Sequence, residues 1–259
     1  MIYYPLAMLM LAGIRDILII STPYDLPMIE KLMGNGDQWG IRLHYQVQDQ
    51  PGGIPQAFLI GKNFIADNHV TLVLGDNLFY GNIDFFKDAV NAQELQAGNI
   101  RARIFALPVA DPQNYGVVEF HKQTFEILSL EEKPNKPKSQ YVVPGLYIFD
   151  SHVVEKSQSL RPSPRGELEI MDVLKLYWKE NALGLTPLTR GMAWLDMGTP
   201  KSLLEASTYV KVIEERQGLK IACLEEVALR MGFIDMERFQ LNIEQMPKSS
   251  YRSYLEGLW

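Results

Sequence analysis

The run Val70-Thr71-Leu72-Val73-Leu74-Gly75-Asp76-Asn77-Leu78-Phe79-Tyr80-Gly81 decides how the chain is read. Its first five residues are apolar and mostly branched, the pattern of a strand buried on both faces. The run stops at Gly75-Asp76-Asn77, small and polar, as a chain does where it leaves a sheet and meets solvent. In open α/β sheets, ligands bind at the carboxyl ends of such strands. A carboxylate and an amide delivered together at that edge suit a hard metal ion and a hydroxylated or phosphorylated ligand. Read alone, the same residues equally suit a capped turn, with Asp76 and Asn77 bonding only to backbone.

Upstream, the pattern predicts a buried helix over residues 1–12, stopped at Gly13, and a buried strand Asp16–Ser21. A short helix over 25–33, with Met28, Ile29 and Leu32 on one face, precedes a half-buried strand over 42–48. A Pro/Gly loop at 49–53 leads to a helix over 54–65 and then to the central strand, 70–74. The alternation α-β-α-β-α-β is the signature of a parallel sheet with crossover helices.

Downstream, after a helix over 83–95, strands at 102–107, Gly116–Phe120, 126–130 and 142–149 are separated by turns rather than helices. The middle pair reads as a hairpin. Helices return at 151–159 and 168–181, and a strand at 192–195 leads into Asp196. From Pro200 the chain is helical, with Leu203, Ala206, Val210 and Ile213 as one stripe. The fold class is therefore α/β: a core over 1–216 with a mixed central sheet and a partly antiparallel extension, then a helical appendage over 217–259 that suits packing or oligomer contacts.

Composition narrows the functional classes. Of 259 residues, 47% are hydrophobic and 22% charged, enough apolar content for a sizeable core. A net charge of −6 argues against a nucleic-acid partner, and an anionic ligand would need a metal or local Lys and Arg to hold it. The opening apolar stretch has no basic leader and is too short to span a bilayer, so no membrane role is expected. One cysteine, Cys223, excludes a disulfide framework and a multi-cysteine zinc site, and fits the cytoplasm.

Polar clusters stand where such a core presents them: Gln48 with Gly52-Gly53, Asp76-Asn77, Tyr115-Gly116, Glu132-Lys133, Arg165-Gly166-Glu167 and Asp196. Two aspartates at two strand ends can share one Mg²⁺. Lys133 and Arg165 suffice to hold a phosphate group, the arginine bidentately. Gly116 leaves room for a ligand ring to approach the backbone. Each cluster also has a structural reading. Glu132-Lys133 suits a solvated ion pair, Arg165 a surface residue at a helix start, and Asp196 an N-cap for the helix at Pro200. Their joint placement at strand ends and glycine turns favours a site.

The motifs LVLGDNLFYG, QNYGVVEF, LSLEEKP, VPGLYIFD, RGELEIMDV, AWLDMGT and IEERQGLKI with GFID, in this order, resemble the glucose-1-phosphate thymidylyltransferases over nearly the whole chain. The resemblance implies a Rossmann-like nucleotidyltransferase core. It implies that Asp76 and Asp196 hold Mg²⁺, and that Gln48 and Gly53 meet the thymine. Asn77, Tyr115, Gly116, Glu132 and Tyr147 would lie at the sugar, and Lys133 and Arg165 would be catalytic cations on its phosphate. The implied substrates are dTTP and glucose 1-phosphate, and the product is a dTDP-sugar for dTDP-rhamnose or other deoxysugar synthesis. A homotetramer with a second, regulatory nucleotide site is implied as well.

The sequence departs from that pattern chiefly in containing no glycine-rich phosphate loop of the type G-G-x-G-T-R-L, with Pro55, Pro144 and Met197 as smaller departures. The expectation is an impaired catalyst with unpaired backbone and exposed apolar surface where the preceding strand would sit. Two alternatives stay open: a uridylyltransferase on the same sugar phosphate, and a non-catalytic nucleotide-sugar-binding or regulatory protein. A dinucleotide dehydrogenase is disfavoured, since no G-x-G-x-x-G follows a strand.

Overall fold

The computed structural model describes residues 1–92 and 99–258. Its chain runs α1 (Tyr3–Leu11), β1 (Asp16–Ser21), α2 (Leu26–Met33), β2 (Arg42–Val47), α3 (Gln56–Ile60), α4 (Lys62–Ile65) and β3 (Val70–Val73). Then follow β4 (Asn77–Tyr80), α5 (Asp84–Val90), β5 (Ala102–Pro108), β6 (Gly116–Phe120), β7 (Ile127–Glu132), β8 (Tyr141–Val142) and β9 (Leu146–Phe149). The remainder is α6 (Val153–Gln158), α7 (Ile170–Lys179), β10 (Leu183–Pro187), β11 (Ala193–Asp196), α8 (Pro200–Gln217), α9 (Leu224–Arg230), α10 (Met236–Gln245) and α11 (Ser250–Glu256). The helix expected over 83–95 is present as α5, which ends at Val90 with Asn91 as its C-cap; residues 93–95 of the expected helix lie outside the described residues.

The central sheet is mixed, as expected, with strand order β3-β9-β5-β8-β6-β7 and β10 beside β5. Only β10 pairs in parallel there; β3, β8 and β9 all pair antiparallel with their neighbours. β5 shows why the layers form. Ala102, Ile104 and Ala106 face one core with Tyr147, Phe149, Val173 and Tyr177. Phe105 and Leu107 face the other, with Leu146, Ile148 and Phe86. This period of two is what a strand between two apolar layers requires.

The expected parallel continuity of the first three strands is not present. β1 pairs β2 in parallel as a separate two-stranded sheet, while β3 pairs only β9. Val70–Val73 is therefore half-buried rather than buried on both faces, and β1 buries only Ile17. Between them lies a groove of about 640 Å³ lined by Ile17, Leu18 and Ile20 of β1 and by Val70, Thr71, Leu72 and Val73 of β3. Most of this lining is apolar and half-buried, and β3 stands at the end of the central sheet's strand order.

Smaller departures have local causes. The helix over 54–65 breaks at Gly61, whose missing side chain lets it lie against the Ala57 carbonyl and Leu18. The strand over 142–149 is interrupted at Pro144, which cannot donate to a ladder. In α2 the buried residues are Leu26 and Met33; Met28 and Leu32 face outward, because the core lies on the other side of the helix. Thr199, not Asp196, caps α8, its hydroxyl accepting from the Ser202 N–H in a reciprocal box.

The opening helix is buried, as its composition demanded. Leu6, Met8, Leu9 and Met10 share one core with Cys223, Leu224, Ala228, Phe239, Ile243 and Leu255 of the C-terminal helices. Each such side chain contributes about 1.5–3 kcal/mol when fully buried. Polar ties reinforce the joint: Trp39 Nε1 donates to Glu225 (3.0 Å) and Asn242 Nδ2 to the Gln38 carbonyl (2.6 Å). No helix among the described residues is long and apolar enough to cross a membrane.

Candidate active site

The site is built on β4 and β11; the sequence reading placed a strand at 192–195, close to β11, but not β4 or its pairing with β11. They run antiparallel with Asn77 opposite Asp196. That register carries Asp76, one residue before β4, alongside Asp196 at the end of β11. Gly198 keeps the space between them open. A Cβ there would lie 3.0 Å from Asp196 Oδ1 and 3.3 Å from Asp76 Oδ2. The backbone locks both residues: Met197 N–H donates to the Asp76 carbonyl (2.8 Å) and Gly198 N–H to Asp196 Oδ1 (2.9 Å). Burial pushes the Asp196 carboxyl above its usual range and the Asp76 charge adds to this; the Gly198 N–H and Lys133 oppose it.

Asn77 has a defined role beneath this pair. It is 2% exposed, and its Oδ1 accepts from the Trp194 indole (2.6 Å) and the Gly145 N–H (3.1 Å). Both are obligate donors, so the amide can face only one way. Its Nδ2 then donates to Asp76 Oδ1 (2.8 Å) and fixes that carboxylate. The resemblance implies a sugar contact for Asn77; in this structure the residue lines the pocket and also holds Asp76.

The cations enter from two other directions. Gly116 of β6 pairs with Glu132 of β7, and Lys133 follows with a positive φ of 41°, unusual for a residue with a side chain. Its N–H donates to the Tyr115 carbonyl (3.1 Å), and the Tyr115 ring meets Trp194 edge-on at 5.1 Å. Arg165 comes from the turn before α7. It grips Glu169 with Nη2 (2.7 Å) and Nε (3.2 Å) and reaches Glu132 at 3.3 Å. Burial raises the Glu132 carboxyl, as does Glu169, against the lowering by Lys133 and Arg165. Tyr147 is buried, which keeps its phenol protonated and able to donate.

One pocket of about 220 Å³ is lined by Asp76, Asn77, Tyr115, Gly116, Glu132, Lys133, Tyr147, Arg165 and Asp196. Gln48 and Gly53 line the neighbouring groove instead, and Ile54, Leu74 and Glu167 border both cavities. The larger cavity is thus not the one that holds Asp76 and Asp196; the two adjoin along these shared walls. Gly53, at φ +94°, packs against α7's approach, where a Cβ would meet the Leu168 carbonyl at 2.0 Å. At Gly116 the space beside the backbone is taken by Met171, whose sulfur would lie 2.8 Å from a Cβ.

Sequence reading missed Trp194, Glu169 and Gly198. Glu169 had a signal, four residues after Arg165 across a helix start. Trp194 had none, since its contact depends on the β4–β11 register.

A model of the nucleotidyl transferase family matches residues 1–212 of the chain. The chain belongs to the nucleotidyl transferase family. Among members of this family, a glucose-1-phosphate thymidylyltransferase of Actinoplanes sp. is 48% identical over 258 residues, 100% of this chain and 83% of that protein. One of Mycobacterium tuberculosis is 49% identical over 255 residues, covering 98% and 86%. A crystal structure of a Bacillus anthracis protein described as a glucose-1-phosphate thymidylyltransferase, in complex with a sucrose, superposes with a TM-score of 0.71 at 33% identity. It covers 80% of this chain and 81% of that one. A UDP-glucose pyrophosphorylase complexed with UDP-glucose shares the nucleotidyl transferase fold at a TM-score of 0.70 and 20% identity, over 82% and 86%.

Proposed function

We propose that this nucleotidyl transferase joins dTTP and glucose 1-phosphate to form dTDP-glucose and pyrophosphate. The observation that carries the reading is the convergence of Asp76 and Asp196 beside Lys133 and Arg165, in a chain 48% identical to a named thymidylyltransferase. An oxygen of the sugar phosphate attacks the α-phosphorus, and the bond from that phosphorus to the pyrophosphate oxygen breaks. A phosphate monoester is largely dianionic near neutral pH, its second pKa being about 6, so no protein base has to take a proton. The remaining work is positioning and charge neutralisation.

Arg165, braced by Glu169 and Glu132 through Nε and Nη2, offers Nη1 to the sugar phosphate, and Lys133 supplies a second positive charge. Glu132, Tyr115, Tyr147 and the Gly116 backbone hold the sugar hydroxyls. Gln48 and Gly53 hold the base in the adjoining groove. Asp76 and Asp196 fit a magnesium ion, since their carboxylates border the space that Gly198 leaves open and such an ion takes one or two carboxylates together with phosphate oxygens and water. Such an ion would neutralise phosphate charge. We extend the proposal to a cytoplasmic homo-oligomer, supported by the reduced, buried Cys223 and by Leu204 and Val212 exposed on α8.

Pyrophosphate release with glucose 1-phosphate tests the reading, with dTTP and UTP competing as donors. Incorporation of the thymidine nucleotide in preference is expected. Preferential use of UTP would make the protein a uridylyltransferase, and pyrophosphate release that does not depend on glucose 1-phosphate would overturn the reading.

A further inference from the structure

Gln56, in the first turn of α3, lines neither the groove nor the pocket, yet it controls the residue that meets the base. Its Oε1 accepts from the Gly52 N–H at 2.9 Å and from Gln48 Nε2 at 2.6 Å. A backbone N–H can only donate, so the Gln56 atom it meets must be the oxygen. That same oxygen can only accept, so the Gln48 atom it meets must be the nitrogen. One backbone proton therefore sets the handedness of two side-chain amides in series, a choice that would otherwise be ambiguous. Gly52 is part of the device: a Cβ there would lie 2.6 Å from Gln56 Oε1 and expel it. Gln56 is itself anchored, its N–H donating to the Gly53 carbonyl at 3.2 Å.

We propose that Gln56 is the positioning residue that makes this site select thymine and uracil over cytosine; the proposal rests on the reading that Gln48 meets the base. With its nitrogen tied to Gln56, Gln48 presents its oxygen at a fixed place, along with one remaining Nε2 proton. Thymine and uracil carry a ring N3–H donor beside a carbonyl acceptor, and this arrangement matches both. Cytosine carries an unprotonated N3 and an exocyclic amino group, so the Gln48 oxygen would oppose a lone pair. An amide free to rotate would serve either base. The relay does not distinguish thymine from uracil, which differ by a methyl group on another edge.

The test compares binding of dTDP, dCDP and glucose 1-phosphate by titration calorimetry to the wild-type chain, Gln56→Leu and Gln56→Glu. Glutamate keeps an acceptor for both donors; leucine has none. The wild type is expected to prefer dTDP. Gln56→Leu is expected to lower that preference by about tenfold, the scale of one mis-set, partly buried hydrogen bond. Its affinity for glucose 1-phosphate should not change, and Gln56→Glu should keep the preference. If Gln56→Leu does not fold, Gln56→Met makes the same comparison. An unchanged preference in the leucine or methionine variant overturns the proposal, as does a parallel loss for all three ligands, which marks a merely structural role. A wild type that binds dTDP and dCDP equally overturns it too, and with it the assignment of Gln48 to the base. Function and relay fail separately, since turnover with glucose 1-phosphate does not require base selectivity.

Discussion

Glu132 stands at the point where folding and binding ask for opposite things. Its carboxyl is raised by burial and by Glu169. An acid raised in the folded state binds its proton more tightly there than in the unfolded chain. Its contribution to stability is therefore present at low pH and is lost as pH rises from the ordinary glutamate value through the raised one. At neutral pH the ionised form is a cost to the fold. Glu132→Gln is expected to raise the midpoint of thermal unfolding at neutral pH, with the gain vanishing below pH 4. It is also expected to weaken sugar-phosphate binding about tenfold, the scale of a lost charge-assisted hydrogen bond. Calorimetric unfolding beside ligand titration checks both; a variant less stable at neutral pH would contradict the account. At this scale the sequence showed the chemistry-bearing side chains because carboxylates and cations at strand ends are visible as letters. It could not show that Asn77 faces inward, since its partner Trp194 is brought there only by strand register.

Among the elements, β1 and β2 differ from the rest. Among the described residues they pair only with each other, and β3 has β9 as its one strand partner. Two-stranded sheets have little independent stability. Hydrogen exchange is expected to show β1 and β2 opening well before β5 and β9, which lie inside the central sheet. Equal protection across both sheets would contradict this. The sequence located the strands other than β4 and β10, because branched apolar runs ended by glycine and proline are local signals. It misjudged how β3 pairs, since parallel and antiparallel neighbours bury the same residues and leave no difference in pattern. β4 was hidden because its four residues follow the polar turn directly and read as an extension of it.

Across the whole molecule, the opening helix and the C-terminal helices close one core, while Asp76, Asp196, Lys133 and Arg165 line a pocket that adjoins the groove of Gln48 in one depression. The account's central claim is that this depression is a single nucleotide-sugar site with a divalent cation at Asp76 and Asp196. The most direct measurement is calorimetric titration of the chain with dTDP-glucose, with and without Mg²⁺, beside Asp196→Asn. Asparagine keeps an acceptor for the Gly198 N–H, so the turn survives. The account predicts binding that strengthens with Mg²⁺ in the wild type and loses that dependence in the variant. Binding that is the same in both proteins with and without the metal, or no binding by a chain shown to be folded, would contradict it.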